Sequence, residues 1–303
     1  IIEHDDKLRA VVDAELAAVA AEHGTPRRTV LLESSGVTAS TAPLEVPDGP
    51  CRVVLGATGR IARVDHDGAL PERSERDRHD VITDDIPATT RGEIGAITNR
   101  GRLVRVSVLD LPSVPATAQA PNLTGGEPID DVVDLEVGER VICLTTLSAD
   151  SPGLALGTRR GVVKRVKPEI LGRDDWEVIT LADGDEVVGG CELTGEDVEL
   201  VFITSEAQLL HYPASAVRPQ GRSGGGVAGI KLPDTAAVVF FGAAGADASV
   251  VTLAGSDALP GADASSVKIT AFAEFPGKGR ATTGVRCHRF LKGENALASA
   301  WVG

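Results

Sequence analysis

Two hydrophobic periods divide the chain. In DDKLRAVVDAELAAVAAEHG, Leu8, Val11, Val12, Leu16 and Val19 recur at helical spacing and form one stripe. Alanine enrichment supports a helix, Gly24 ends it and Pro26 blocks its resumption. The pattern predicts a helix from about Asp5 to Glu22. A lone helix of about 20 residues needs a surface to pack on, either the rest of this chain or an upstream domain. From about residue 46 the pattern becomes short Val- and Thr-rich runs separated by Gly-rich turns, with no second long helical period. Residues 1–45 therefore read as helix and linker, and residues 46–303 as an all-β domain.

The strand pattern repeats. GRIARV starts at Gly59, GRLVRV at Gly101, GVVKRV at Gly161, and a degenerate copy, AQLLHY, at Ala207. Each is a turn followed by a short strand that carries a basic side chain at its fourth residue after the turn: Arg63, Arg105, Arg165 and His211. A second repeat reads VGERVI from Val137, DGDEVV from Asp183 and KGENAL from Lys292. A third pairs GRSGGGVAGIKL at Gly221 with GRATTGVRCHRFL at Gly279, which makes Gly226 and Gly284 equivalent and suggests a shared positive φ. Short-strand repeats at 40–60 residues signal a propeller-like array whose units bury their faces against one another. Dividing residues 46–303 by that period gives five or six blades of four antiparallel strands.

Composition refines this. No apolar run is long enough for a membrane helix. Cys51, Cys143, Cys191 and Cys287 are widely spaced, which argues against a zinc site or disulfide framework and fits a reducing cytoplasm. The six histidines form no close pair suggestive of metal ligation. The net charge of −14 opposes nucleic-acid binding on its own. The charges are segregated, however. Residues 174–199 hold acids without Lys or Arg, while arginines crowd residues 51–105 and basic residues crowd 159–173. An acidic body with a basic face follows.

The Gly-rich stretch QGRSGGGVAGIKL from Gln220 matches G-x-G-x-x-G by spacing only. Pro233 blocks the helix that a pyrophosphate site requires, and no G-K-[ST] is present. A loop between blades, either a packing turn or a phosphate contact, remains.

LALGTRRGVVKRVKP, GAITNRGRLVRVSVLDL and GRATTGVRCHRFLKGENAL resemble blade motifs of the C-terminal domain of bacterial type IIA topoisomerase A subunits, those of gyrase and topoisomerase IV. AAEHGTPRRTVLLE is similar to the segment that leaves the coiled-coil arm before that domain. The likeness runs from about Leu8 to the last residue. It implies a β-pinwheel with duplex DNA bent around a basic outer rim. Implied partners are double-stranded DNA, the B subunit, and the remainder of the A subunit, with no membrane. ATP and Mg would be used on other domains, so no cofactor is expected here, and neither is a metal or a catalytic residue. The family's catalytic tyrosine lies upstream, and Tyr212 reads as structural. The Q-[RK]-R-G-G-[RK]-G loop of gyrase is missing from DHDGALPERSERDRHD, which favours a topoisomerase IV-like or divergent gyrase-like protein.

The candidate DNA contacts are Arg60, Arg63, Arg100, Arg102, Arg105, Arg159, Arg160, Lys164, Arg165, Lys167, Arg222, Lys278 and Arg280, with Arg63, Arg105 and Arg165 on one rim of successive blades. A protein-binding propeller without DNA affinity is the competing class.

Overall fold

The computed structural model describes residues 5–24, 46–71, 81–117, 120–256 and 266–303. The chain divides into two units, Ile1–Glu45 and Val46–Gly303. The first contains the helix Asp5–His23, one residue longer than the sequence pattern predicts, with its Leu8, Val11, Val12, Leu16 and Val19 stripe exposed. The arm-like segment after it lies outside the described residues.

Among its described residues the second unit contains five sheets. Each is built around a hairpin. In four of them a tight turn joins the strands: Pro50–Gly56 with Arg60–Val64, Glu93–Thr98 with Arg102–Ser107, Leu154–Thr158 with Val162–Val166, and Glu199–Thr204 with Gln208–Pro213. The fifth hairpin pairs Ser249–Gly255 with Ser266–Ala271. These define blades one to five. A third strand then pairs with the first strand of each hairpin: Ile82–Thr89, Val141–Thr146, Val187–Glu192, Val238–Ala244 and Ala296–Val302. These third strands pack on one another in sequence from blade one to blade five and form the inner edge.

Inner strands also reach back to the previous blade. Val187 donates to the Asn99 carbonyl at 2.8 Å, Val238 to Arg159 at 2.9 Å and Leu297 to Ser205 at 2.8 Å. The acceptors are the residues just after Thr98, Thr158 and Thr204 in the hairpin turns. These threonines are buried, and their hydroxyls accept the N–H groups of Arg102, Val162 and Gln208 at 3.4, 3.2 and 3.1 Å. The turn repeat read from sequence is therefore also the joint between blades.

The core lies mainly between blades. Ile86 and Ile94 meet across blades one and two, Leu103 and Leu156 across two and three, Leu210 and Phe241 in the cluster of three and four, and Val201 and Leu297 across four and five. Each such side chain, fully buried, contributes about 1.5–3 kcal/mol. Tyr212 belongs to this packing, 6.4 Å from the Phe202 ring, with its hydroxyl buried and without a hydrogen-bond partner. All four cysteines are free. Burial holds their thiols protonated, that of Cys191 up to about 12.

The outer edge departs from a uniform four-stranded blade. The fourth strand does not come from the blade's own repeat. After completing its hairpin, each blade from two to five sends the chain outward to cap the preceding blade, and only then returns for its inner strand. These excursions are here termed straps. Blade one is capped by Ser113–Val114 and Glu127–Pro128, blade two by Asp175–Glu177, blade three by Pro219–Gln220 and Val227–Ala228, and blade four by Val285–Arg286. Blade one and blade three thus have five strands, because their straps touch twice. Blade five has three among the described residues.

The strap register is the same four times. Pro128, Glu177, Ala228 and Arg286 lie opposite Arg60, Arg102, Val162 and Gln208. The next strap residue donates to the last turn residue: Ile129 to Gly59, Val178 to Gly101, Gly229 to Gly161 and Cys287 to Ala207, at 2.7–2.9 Å. That acceptor has φ of +73, +74, +82 and +59°. Ala207 is strained where the other three are glycines. Within straps three and four, Gly226 and Gly284 have φ of +82 and +79°, so the shared positive φ inferred from the repeat is present.

Two outcomes follow. A Cβ on Gly226 would lie 2.7 Å from the Val163 carbonyl oxygen. Gly226→Val should therefore lower stability by about 2 kcal/mol or more, measured by denaturant unfolding. Asp84, on the inner strand of blade one, is pushed up to about 7 by burial, opposed by a hydrogen bond from Leu144 and reinforced by neighbouring Asp85. A raised carboxylate pKa means stability that is present below about pH 4 and lost as pH climbs towards 7. Asp84→Asn should thus raise the melting temperature at pH 8 and have little effect at pH 4.

Candidate nucleic-acid interface

The four equivalent basic side chains do lie at the same strand position of successive blades, but they are turned to the straps. Arg63 bonds Asp65 at 2.9 Å and the Val108 carbonyl at 3.3 Å. Arg105 bonds Glu93 and the carbonyls of Leu171 and Arg173, and lies 5.7 Å over the Trp176 ring. Arg165 forks onto both oxygens of Glu196 at 2.8 Å and reaches the carbonyls of Ala214 and Val217 at 3.2 Å. His211 bonds Glu199 at 2.8 Å and the Phe275 carbonyl at 3.0 Å. In every case the carbonyls belong to the strap arriving from the next blade. Each repeat side chain is a clamp on that strap, and Arg63 and Arg165 are buried. The expected use of Arg63, Arg105 and Arg165 as phosphate contacts is corrected accordingly: their guanidinium groups face carboxylates and strap carbonyls, and the Nε of Arg165, without a partner among the described residues, is buried.

Lys164 is corrected most strongly. Its exposure is 0%, and its ammonium is held by the carbonyls of Val178, Arg222 and Gly224 at 2.7, 2.8 and 2.6 Å. Burial draws its pKa down to about 8. It ties strap two to the Gly-rich loop of strap three, and that loop is therefore a fixed element. Within it, Gln220 accepts the Gly226 N–H at 3.0 Å.

Other candidates are also internally paired. Arg60 donates to the Gly126 carbonyl. Arg100 pairs with Glu136, and Arg159 with Glu186 at 3.0 Å. Arg102 binds Glu139, Asp175 and the Asp134 carbonyl. Burial alone would raise the Glu139 carboxyl, but Arg102, Thr98 and the Glu136 N–H outweigh it and hold it at about 2.

The remaining candidates are disposed differently. Arg160 and Lys167 are exposed, and no side-chain carboxylate pairing is seen for either among the described residues. Arg222 is half-exposed, 3.5 Å from Glu169. Lys278 and Arg280 reach only backbone carbonyls, those of Gly284 and Ala228. Straps three and four are joined: Ala281 donates to Gly229 at 2.8 Å and Lys231 to Thr282 at 3.0 Å. The structure thus brings Arg222, Lys278 and Arg280 onto two linked straps. It adds Arg218, Lys231, Arg286 and Arg289, all exposed, which sequence reasoning passed over. The signal was available: residues 213–233 and 275–291 contain no Asp or Glu.

Among the described residues no His, Cys, Asp and Glu cluster could hold a metal, and no helix is long and apolar enough to cross a membrane. A cavity of about 770 Å³ is walled by Glu192, Glu196, Glu199 and the clamped His211, an arrangement unsuited to an anion.

Strand exchange around a common inner edge, with the outer edges of blades one to four sealed by the next repeat, defines a β-pinwheel. Residues 199–243 and 263–294 match the family described as DNA gyrase C-terminal domain, beta-propeller. The chain is 29% identical to the A subunit of DNA gyrase from Helicobacter pylori over 79% of its length and 30% of that protein's. It is 25% identical to the Mycobacterium bovis counterpart over its whole length and 36% of that protein's. It spans about a third of the curated relatives it matches. A crystal structure of the C-terminal domain of DNA topoisomerase IV superposes with a TM-score of 0.64 at 22% identity, covering 85% of this chain and 79% of that one, a likeness of fold. What the chain shares with these proteins is the pinwheel fold and, over residues 199–243 and 263–294, the sequence pattern of the gyrase C-terminal family.

Arg165→Ala removes a four-bonded clamp: the Val217 carbonyl loses its Arg165 donor, while the Ala214 carbonyl keeps only the Val217 N–H at 3.0 Å. It should cost about 2–4 kcal/mol of stability by chemical denaturation. Arg165→Lys should recover only part of this, because an ammonium cannot reproduce the fork on Glu196.

Proposed function

We propose that this domain binds and bends duplex DNA and presents it to the strand-passage core of a type IIA topoisomerase, contributing to control of supercoiling or decatenation. The observation that supports this reading is the set of exposed cations at the outer blade edges, of which, among the described residues, Arg222 alone has a carboxylate within reach, Glu169 at 3.5 Å, on a framework where the repeat arginines are engaged in clamping. Side chains on a rim reach phosphates and carry little base information. Each phosphate contact releases counterions. Bending a site of 20–30 base pairs by 40–90° costs of order 1–6 kcal/mol, offset by contacts from more than one blade. The negative charge elsewhere repels the duplex and holds it to one track.

Of the candidates read from sequence, Arg160, Lys167, Arg222, Lys278 and Arg280 remain in this role. The protein partners are the B subunit plus the rest of the A subunit, in the cytoplasm at the nucleoid. ATP and Mg are used on other domains of the whole enzyme. Tyr212 is walled into the core, and strand cleavage is assigned to other domains of the whole enzyme.

Gel-shift titration with duplexes of increasing length tests the proposal. Binding at low salt should strengthen with length until the bent track is filled. A chain that shifts no duplex at low salt is instead the acidic protein-binding propeller.

A further inference from the structure

The straps differ in charge in a graded way. Strap one, residues 108–132, carries Asp110, Glu127, Asp130 and Asp131 and no Lys or Arg. Strap two, residues 168–183, carries Arg173 with five acids; Lys167, whose N–H donates to the Gln220 carbonyl at 3.0 Å, follows the outer strand of blade three. Strap three, residues 213–233, carries Arg218, Arg222 and Lys231 and no acid. Strap four, residues 275–291, carries Lys278, Arg280, Arg286 and Arg289 and no acid. The hydrogen bonds between Ala281 and Gly229 and between Lys231 and Thr282 make the last two straps one continuous outer surface.

We infer that the duplex is held on blades three and four alone, and that the acidic straps of blades one and two form a stop that turns it away. This rests on the DNA-binding reading above and narrows it: the track covers two of the five described blades, and the chain bends DNA without encircling itself. The framework is consistent with such a division. Lys164, under the Gly-rich loop, fixes strap three through the Arg222 and Gly224 carbonyls, so the Arg222 side chain projects from an immobilised backbone. Arg280 and Lys278 are steadied by carbonyls of straps three and four and keep donors to spare. On blade two, by contrast, Arg100 and Arg102 already face Glu136, Glu139 and Asp175. A phosphate arriving there would meet neutralised cations and surplus carboxylates. Duplex DNA presents one charge per about 1.7 Å of axis, so a compact group of cations on two joined straps suits a short arc of backbone.

The test compares two variants of the 303-residue chain. One carries Arg218→Ala, Lys231→Ala and Arg286→Ala, all surface positions; the other carries Arg100→Ala and Arg140→Ala on blade two, where Arg140 precedes the inner strand and pairs with Glu186 at 3.2 Å. Fluorescence anisotropy with a duplex of about 40 base pairs is followed through a salt titration, with thermal melts to confirm folding. The first variant should lose roughly tenfold or more in affinity, and its log–log salt slope should fall by about 3 units, close to 0.9 per contact. The second should bind as the parent does. Equal losses in both variants, or a larger loss in the second, overturn the two-blade track while leaving DNA binding intact. A parent chain that does not bind removes the DNA-binding reading itself, and the track with it. Should the first variant melt early, Arg289→Gln and Arg222→Gln provide the same comparison, about 2 units of slope, from other positions; an unchanged slope there also overturns the assignment.

Discussion

The architecture depends on one obligation: the outer strand of each hairpin must find a partner, and its own repeat does not supply one. An unpaired edge leaves a row of backbone donors and acceptors facing solvent. In blades one to four that row is met by a strap from the next repeat, locked by one N–H at the turn and by one basic side chain holding strap carbonyls. Turn geometry, strand register and the placement of Arg63, Arg105, Arg165 and His211 all follow from this requirement. The guanidinium groups of Arg63, Arg105 and Arg165 and the ring of His211 are thereby engaged within the fold. What remains for recognition is decided by residues the repeat does not dictate.

A net charge of −14 and a nucleic-acid role are compatible on these terms. Net charge is a sum over faces, whereas a polyanion samples one face at a time within a Debye length of about 8–10 Å. The straps are where the sequence is free to vary between repeats, and there the sign of charge reverses along the chain. The buried clamp positions keep their character. The exposed strap positions carry acid in the first repeat and base in the fourth.

Much of the fold was legible in sequence because a turn with positive φ and a two-residue strand period leave local marks. The turn-and-strand repeats starting at Gly59, Gly101, Gly161 and Ala207 located four hairpins, and the GR…G pair located two straps together with the positive φ of Gly226 and Gly284. The ownership of the fourth strand was not legible. Strand exchange changes which segments pair over long range and leaves the local period untouched, so Asp175–Glu177 reads as a loop of its own repeat although it completes blade two. The candidate site was less legible than the fold. A periodic arginine looks alike whether its guanidinium meets a phosphate or a backbone carbonyl, and only the partner distinguishes them. Lys164 is the extreme case: a charged residue in a strand, with no nearby acid in sequence, that proves wholly enclosed. The residues that better fit a rim, such as Arg218 and Arg289, lie outside the repeat, and the absence of acids around them was the mark to read.

Strand exchange also sets an order of assembly. A ribosome releases the chain from its N-terminus, so the hairpin of blade two must emerge before blade one can be sealed, and that of blade three before blade two. Until then the newest blade shows an open outer edge. At every stage of synthesis one edge is exposed, and it moves one repeat along each time a strap docks. Nascent chains of this design therefore carry a single travelling site for misplaced strand pairing, confined to the youngest blade, while everything behind it is already closed.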